Sequence, residues 1–147
     1  MKQYETLKDI FYKTIEDKSH GMYKKESYFH SIQVSTICQY LANKQKLDIE
    51  IAGIIGLFHD YSTYISQTSF DHAHRSSLLV EDILKELQCD EQDIKIIITA
   101  IKNHSDKNRI DDCYSELIKD ADVLAQYLQE PSKQFNEDYQ TRLKNYL

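Results

Sequence analysis

Turn-forming residues are scarce in this chain, whose 147 residues contain 3 Gly and 1 Pro. Sandwiches and barrels of many short strands use both residue types often, so an all-β fold is disfavoured. Cysteine is also rare: Cys38, Cys89 and Cys113 are odd in number, widely separated and without Cys-x-x-Cys spacing. Neither a disulfide framework nor a thiolate zinc cage is expected, and a reducing cytoplasm is the expected compartment. The most apolar run, residues 51–58, falls far short of the ~20 residues that span a bilayer. Met1-Lys2-Gln3-Tyr4-Glu5 lacks the apolar stretch of a secretory signal, so no membrane partner is expected. Positive charge is in deficit, with 18 Lys and Arg against 24 Asp and Glu and a net charge of −6, so no nucleic-acid-binding surface is expected. That balance still admits a phosphate substrate, because a bound metal reverses the local sign. A Gly-rich phosphate loop is missing as well, which disfavours a P-loop kinase or GTPase.

What is present reads as helix. At 147 residues the chain is expected to be one domain over 1–147, burying roughly two-thirds of its unfolded surface. Leu7, Ile10, Phe11 and Ile15 share a face from Tyr4 to about Asp17. From Ser27 to about Lys44, His30, Val34, Ile37 and Leu41 form one stripe. Asp48 is the expected N-cap of a helix running through Ile51 to His59. Residues 61–70 break the pattern and read as a loop, after which Ser69 or Asp71 caps a helix through Leu79, Val80, Ile83, Leu84 and Leu87. Asp90 opens the next, with Ile94, Ile97, Ile98, Ile101 and His104 on its inner face. Residues 105–113 are loop-like, and Tyr114 to Leu128 carries Leu117, Ile118, Ala121, Leu124, Ala125 and Leu128. A last helix over 131–147, with Pro131 in its first turn and a stripe of Phe135, Tyr139 and Leu143, either packs back on the domain or forms a homodimer contact. The expected fold is all-α, a single compact bundle of about six or seven helices.

The chemistry gathers where the stripes end. His59 and Asp60 close the most apolar run, which carries an imidazole and a carboxylate towards the interior. Burial of ionisable groups costs several kcal/mol unless something pairs with them, and a divalent cation suits both. His30, His72, His104 and Asp122 also fall on apolar faces. A single such His is more often a hydrogen-bonded core residue, and a single helical Asp usually faces solvent. Six on five separate segments, all expected to point inward, are much harder to explain without a metal, and helical bundles build metal sites from inward-facing side chains. Mixed imidazole and carboxylate donors suit Mn, Fe, Zn, Ni or Co better than Ca. Six protein ligands exceed what one tetrahedral ion uses, so two ions sharing a carboxylate are plausible. Such a pair lowers the pKa of a bridging water and clamps both oxygens of an in-line phosphoryl displacement.

His30, then His59-Asp60, then Asp122 within Lys119-Asp120-Ala121-Asp122-Val123-Leu124, resembles the H…HD…D pattern of the HD superfamily of metal-dependent phosphohydrolases. Gly56-Leu57-Phe58-His59-Asp60, Ser69-Phe70-Asp71-His72-Ala73 and Ala100-Ile101-Lys102-Asn103-His104 extend the likeness, which covers about residues 27–128. The resemblance implies that His30, His59, Asp60 and Asp122 hold one metal. His72 and His104 match the two extra histidines of a binuclear subgroup and would hold a second, with Asp60 bridging. The metal would be a divalent ion, one or two of Fe, Mn, Ni, Co, Zn or Mg. The substrate would be a small phosphoester or phosphoanhydride, nucleotide-like in kind, attacked by a metal-bound hydroxide. Many members carry a lysine soon after the HD pair; here Tyr61-Ser62-Thr63-Tyr64 follows, with no cation.

Four further residues are candidates for substrate contact. Arg75 could meet a phosphate by bidentate hydrogen bonds. His74 lies about 160° round its helix from His72 and suits a surface or supporting place. Lys102 and Lys119 flank ligand candidates and either line the mouth of the site or are ordinary surface cations. Asp120, about 160° round the helix from Asp122, reads as a hydrogen-bonding support or a helix-surface residue, with a ligand role within Asp120-Ala121-Asp122 left open, and Tyr61 and Tyr64 could stack on a base. Two other readings stay open: a metal-containing nucleotide sensor without turnover, and a helical scaffold with buried histidines and no metal.

Overall fold

The computed structural model describes residues 2–147. Eight helices follow one another among them: α1 (Tyr4–Lys18), α2 (Gly21–Gln45), α3 (Ile49–Phe58), α4 (Tyr61–Ser66), α5 (His72–Glu86), α6 (Glu91–Asn103), α7 (Cys113–Gln129) and α8 (Glu137–Leu143). No strand occurs among the described residues. The all-α expectation holds, and the helix beyond the seven read from sequence is α4.

At the centre lies α3. Every residue from Ile51 to Phe58 is buried, because α1, α2, α6 and α7 pack around it. A helix apolar on all sides is stable only when surrounded in this way. Asp48 caps it, accepting from Ile51 N at 2.9 Å. Glu50, in its first turn, accepts from Tyr4 N at 2.8 Å and so satisfies an orphan donor of α1. The tightest contact is made by Gly56: a Cβ there would come within 2.7 Å of Ser35 Cα and 3.0 Å of Cys38 Sγ. Glycine thus lets the backbones of α2 and α3 touch one turn before His59.

Around α3 the core takes Leu7, Phe11 and Ile15 from α1, Val34 and Cys38 from α2, Val80 and Leu84 from α5, Ile97 and Ile101 from α6, and Leu117, Ile118 and Ala121 from α7. Each set recurs at helical spacing, as the sequence stripes predict. Leu79 and Leu128 are exceptions, at 40% and 53% exposure.

Several boundaries differ from expectation. Residues 61–66 are helical, not loop: Tyr61 and Tyr64 are buried one turn apart, and the Tyr61 ring packs against Phe58 and Phe11. Ser and Thr between them lower intrinsic propensity and hid the helix, which tertiary burial supports. α2 starts at Gly21 instead of Ser27, since its first turn has no apolar stripe to mark it. Asp71 occupies the cap position of α5 with φ 48° and makes no side-chain capping bond. Pro131 lies in a turn, and α8 begins only after Asn136, which caps it by accepting from Tyr139 N. α8 packs back on α7, with Arg142 and Leu143 buried. The three cysteines are free, Cys38 buried and Cys113 exposed. No described helix is long and apolar enough to cross a membrane.

Candidate metal centre

His30 projects from the middle of α2, and His59 and Asp60 from the end of α3. His72 opens α5, His104 ends α6, and Asp122 lies within α7. The fold brings all six to one point. His30 Nε2 lies 3.2 Å from His59 Nε2 and 2.9 Å from Asp122 Oδ1. Asp60 Oδ2 lies 3.1 Å from His59 Nε2 and 3.5 Å from His30 Nε2. Its other oxygen, Oδ1, lies 3.1 Å from His104 Nε2 and 3.3 Å from His72 Nε2. Those two nitrogens are themselves 3.2 Å apart. One carboxylate therefore faces two groups of donors, one oxygen to each.

The tautomers explain what the groups can do. His59 Nδ1 donates to Gly56 O at 2.7 Å, His104 Nδ1 to Ile101 O at 2.6 Å, and His72 Nδ1 to Ser69 O at 3.1 Å. A carbonyl only accepts, so each Nδ1 carries a proton and each ring turns its Nε2 inward, where it can bind a cation once any proton there has left. Lone pairs converging on a carboxylate oxygen repel unless a proton or a cation sits among them. Backbone carbonyls bound to the far ring nitrogen are the usual means of orienting metal-ligating histidines.

Spacing also fits. Imidazole and carboxylate donors bind at about 2.0–2.2 Å, which puts neighbouring donors on one ion about 3.0–3.6 Å apart. The separations within the two groups run from 2.9 to 3.6 Å. His30, His59 and Asp122 form one set of donor atoms close enough to hold an ion, and His59, Asp60 and His104 another.

Electrostatics point the same way. Burial opposes a charge on His59, but Asp60 and Asp122 outweigh it and hold the imidazole up to about 10. The pocket thus favours positive charge at this point. Burial pushes His104 down, into its neutral, ligand-competent form. Burial would raise Asp60, yet the adjoining His59, His104 and His72 hold it well below the carboxylate range. Asp122 is likewise held low against burial, chiefly by Lys107, then by His30 and His59.

The two groups differ in access. His59 is fully buried and the His30 and Asp122 side chains nearly so, whereas the His72 side chain is 27% exposed. A cleft of about 640 Å³ opens over the centre, lined by His30, Asp60, His72, His104 and Asp122 together with Tyr23, Tyr64, Tyr139, Gln126, Lys107 and Lys133. A second cleft lies on the far side of His72, where His74 and Lys102 line it with Ser105 and Asp106.

The remaining candidates are placed less centrally. His74 is exposed, and Arg75, half-buried, is not among the residues lining either cleft. Lys119 is neither at the mouth nor on the surface: it is fully buried, with Nζ 2.6 Å from Asp111 Oδ2 and 3.0 Å from Glu116 Oε2. Three residues before Asp122 on α7, it shares that side of the helix, but its ammonium is drawn away from the centre by Asp111, Glu116 and the Arg109 carbonyl. Asp120 supports the structure by accepting from Arg142 Nη1 at 2.8 Å and from the Tyr146 hydroxyl at 2.6 Å. Tyr61 belongs to the core, while Tyr64 lines the cleft.

Two neighbours of the centre escaped the sequence reading. Gln126 Nε2 donates to Asp122 Oδ1 at 3.3 Å, a contact that its i, i+4 spacing could have signalled. Lys107 Nζ donates to Asp122 Oδ2 at 2.8 Å and to His104 O at 2.6 Å. Nothing in a polar loop marks one lysine as inward-facing.

No curated protein and no solved structure matches the chain. A family model, that of the HD domain, matches residues 28–127, the stretch from α2 to α7 that carries all six converging residues. The chain belongs to the HD domain family, a superfamily of metal-dependent phosphohydrolases.

Proposed function

We propose that this protein hydrolyses a small phosphoester or phosphoanhydride, nucleotide-like in kind, using divalent metal ions that Asp60 would bridge. The observation that carries this reading is the division of the Asp60 carboxylate, with Oδ2 3.1 Å from His59 Nε2 and Oδ1 3.1 Å from His104 Nε2. His30, His59, Asp60 and Asp122 would hold one ion, and His72 and His104 with Asp60 a second. The mixed donor set admits Fe, Mn, Co, Ni, Zn or Mg. Such ions, when bound, acidify water and neutralise the charge of a phosphate.

The chain's own residues supply the geometry. The carbonyls of Gly56, Ile101 and Ser69 lock three imidazoles with Nε2 inward. Gln126 and Lys107 orient the Asp122 carboxylate, each donating to one of its oxygens. The cleft above gives a phosphorylated molecule room beside the centre, and Tyr23, Tyr64, Tyr139 and Gln126 offer rings and an amide to a heteroaromatic base. No protein nucleophile is needed.

The test is phosphate release by protein purified without a His-tag and loaded anaerobically with Fe²⁺ or Mn²⁺, over a panel of nucleotides and p-nitrophenyl esters. Release that disappears in Asp60→Ala is the expected result. Binding without product, by protein shown to hold its metals, would instead make this a sensor.

A further inference from the structure

Lys107 stands apart from the other cations of the molecule. Its side chain is 6% exposed, and it borders the cleft over the candidate ligands. Nζ reaches Asp122 Oδ2 at 2.8 Å and His104 O at 2.6 Å, so it touches residues from both donor groups at once. A lysine ammonium has three N–H groups, and two are used in this way. Among the described residues no third oxygen accepts from it; the Tyr139 ring, a wall of the cleft, lies 5.7 Å from Nζ.

The placement is enforced from behind. Arg142 of α8 donates from Nε to Lys107 O at 3.0 Å and from Nη2 to Arg109 O at 3.1 Å. Its Nη1 is anchored on Glu116 at 3.0 Å and Asp120 at 2.8 Å. The segment bearing Lys107 is thereby clamped between α7 and α8, although it has no regular structure of its own. A flexible four-carbon stem held at its backbone and at its ammonium presents a fixed point charge.

We infer that Lys107 is a substrate-binding residue, whose ammonium contacts a phosphoryl oxygen of an anion seated in the cleft beside Asp122 and His104. The inference rests on the phosphohydrolase reading above and adds the group that recognises the anion. Lys133, the other cation of the cleft, lies 5.9 Å from the Phe135 ring and is exposed, so it sits at the rim. Lys119 is fully committed to Asp111 and Glu116. Charge-assisted hydrogen bonds to phosphate in a partly dry cleft are strong, and a fixed donor makes them without reorganisation.

Calorimetry of inorganic phosphate binding to Mn²⁺-loaded protein tests this, with metal content and thermal unfolding measured on every sample. Lys107→Gln keeps a donor for Asp122 and removes the charge; it should weaken phosphate binding about tenfold or more at unchanged metal content, and Lys107→Arg should restore most of the affinity. In wild type loaded with diamagnetic Zn²⁺, the Lys107 side-chain NMR resonance should shift as phosphate is added, a readout that remains if the Gln variant does not fold. Unchanged phosphate affinity in Lys107→Gln, or an unmoved resonance, overturns the inference. Loss of metal in that variant also overturns it, because the lysine would then act through Asp122 alone. Metal-loaded wild type that binds no phosphate would overturn the phosphohydrolase reading first, and this inference with it.

Discussion

Asp60 and His104 meet across the centre with Oδ1 3.1 Å from Nε2, while the other Asp60 oxygen keeps the same distance from His59 Nε2 on the opposite side. The carboxylate is therefore shared between a buried group of donors and one open to a cleft. That asymmetry and the charge of the pocket have measurable consequences.

Removal of His72 should affect only the open group. Its side chain is 27% exposed, whereas that of His59 is fully buried and those of His30 and Asp122 are nearly so. His72→Ala should retain the fold and lose about one equivalent of metal relative to wild type, since a metal site fails with its ligand count. Elemental analysis after desalting checks this, and a full loss of metal would show that the two groups bind as one.

Metal uptake should depend on pH with a definite sign. His59 must give up a proton held up to about 10 by Asp60 and Asp122. One proton displaced per ion makes the apparent affinity rise about tenfold per pH unit, or about 100-fold from pH 6.5 to 8.5. Calorimetry in buffers of different ionisation enthalpy counts the released protons. The same shift acts on the protein stripped of metal. A folded value raised above the usual 6.5 stabilises fully below that pH and is lost as pH climbs through about 10. Metal affinity that is flat over this interval would contradict the proton's location.

Gly56 links packing to the centre. A methyl group there would lie 2.7 Å from Ser35 Cα, and the Gly56 carbonyl is the acceptor that orients His59. Gly56→Ala should push α3 away from α2, cost about 1–3 kcal/mol by overpacking, and weaken metal binding as His59 moves. Thermal unfolding and metal titration read the two effects. An unchanged melting temperature would mean that the helices are not in such close contact.

Much of this was legible from residue spacing. Val34, Ile97, Ile101 and Ile118 lie where their stripes predict, and the six candidate ligands converge because each shares a face with such residues. The Asp48 and Asp90 caps were readable as well, each followed at once by an apolar-periodic segment. α4 was not, because Ser62, Thr63 and Ser66 resemble loop residues and only the burial of Tyr61 and Tyr64 against the core makes the segment helical. Lys119 and Lys107 were out of reach for a related reason. A lysine's default is water, and what overrides it here is long-range: Asp111 for one, Asp122 and His104 O for the other. Contacts between loop and helix leave no periodic trace in sequence.

The central claim is that Asp60 holds both donor groups to metal. Elemental analysis of untagged protein, wild type beside Asp60→Ala, after anaerobic reconstitution with Fe²⁺ or Mn²⁺, tests it most directly. The account predicts at least about one equivalent bound by wild type, and loss of both metal and phosphate release in a variant whose circular dichroism is unchanged. Wild-type protein that stays below one equivalent, or an alanine variant that keeps its metal, would contradict it.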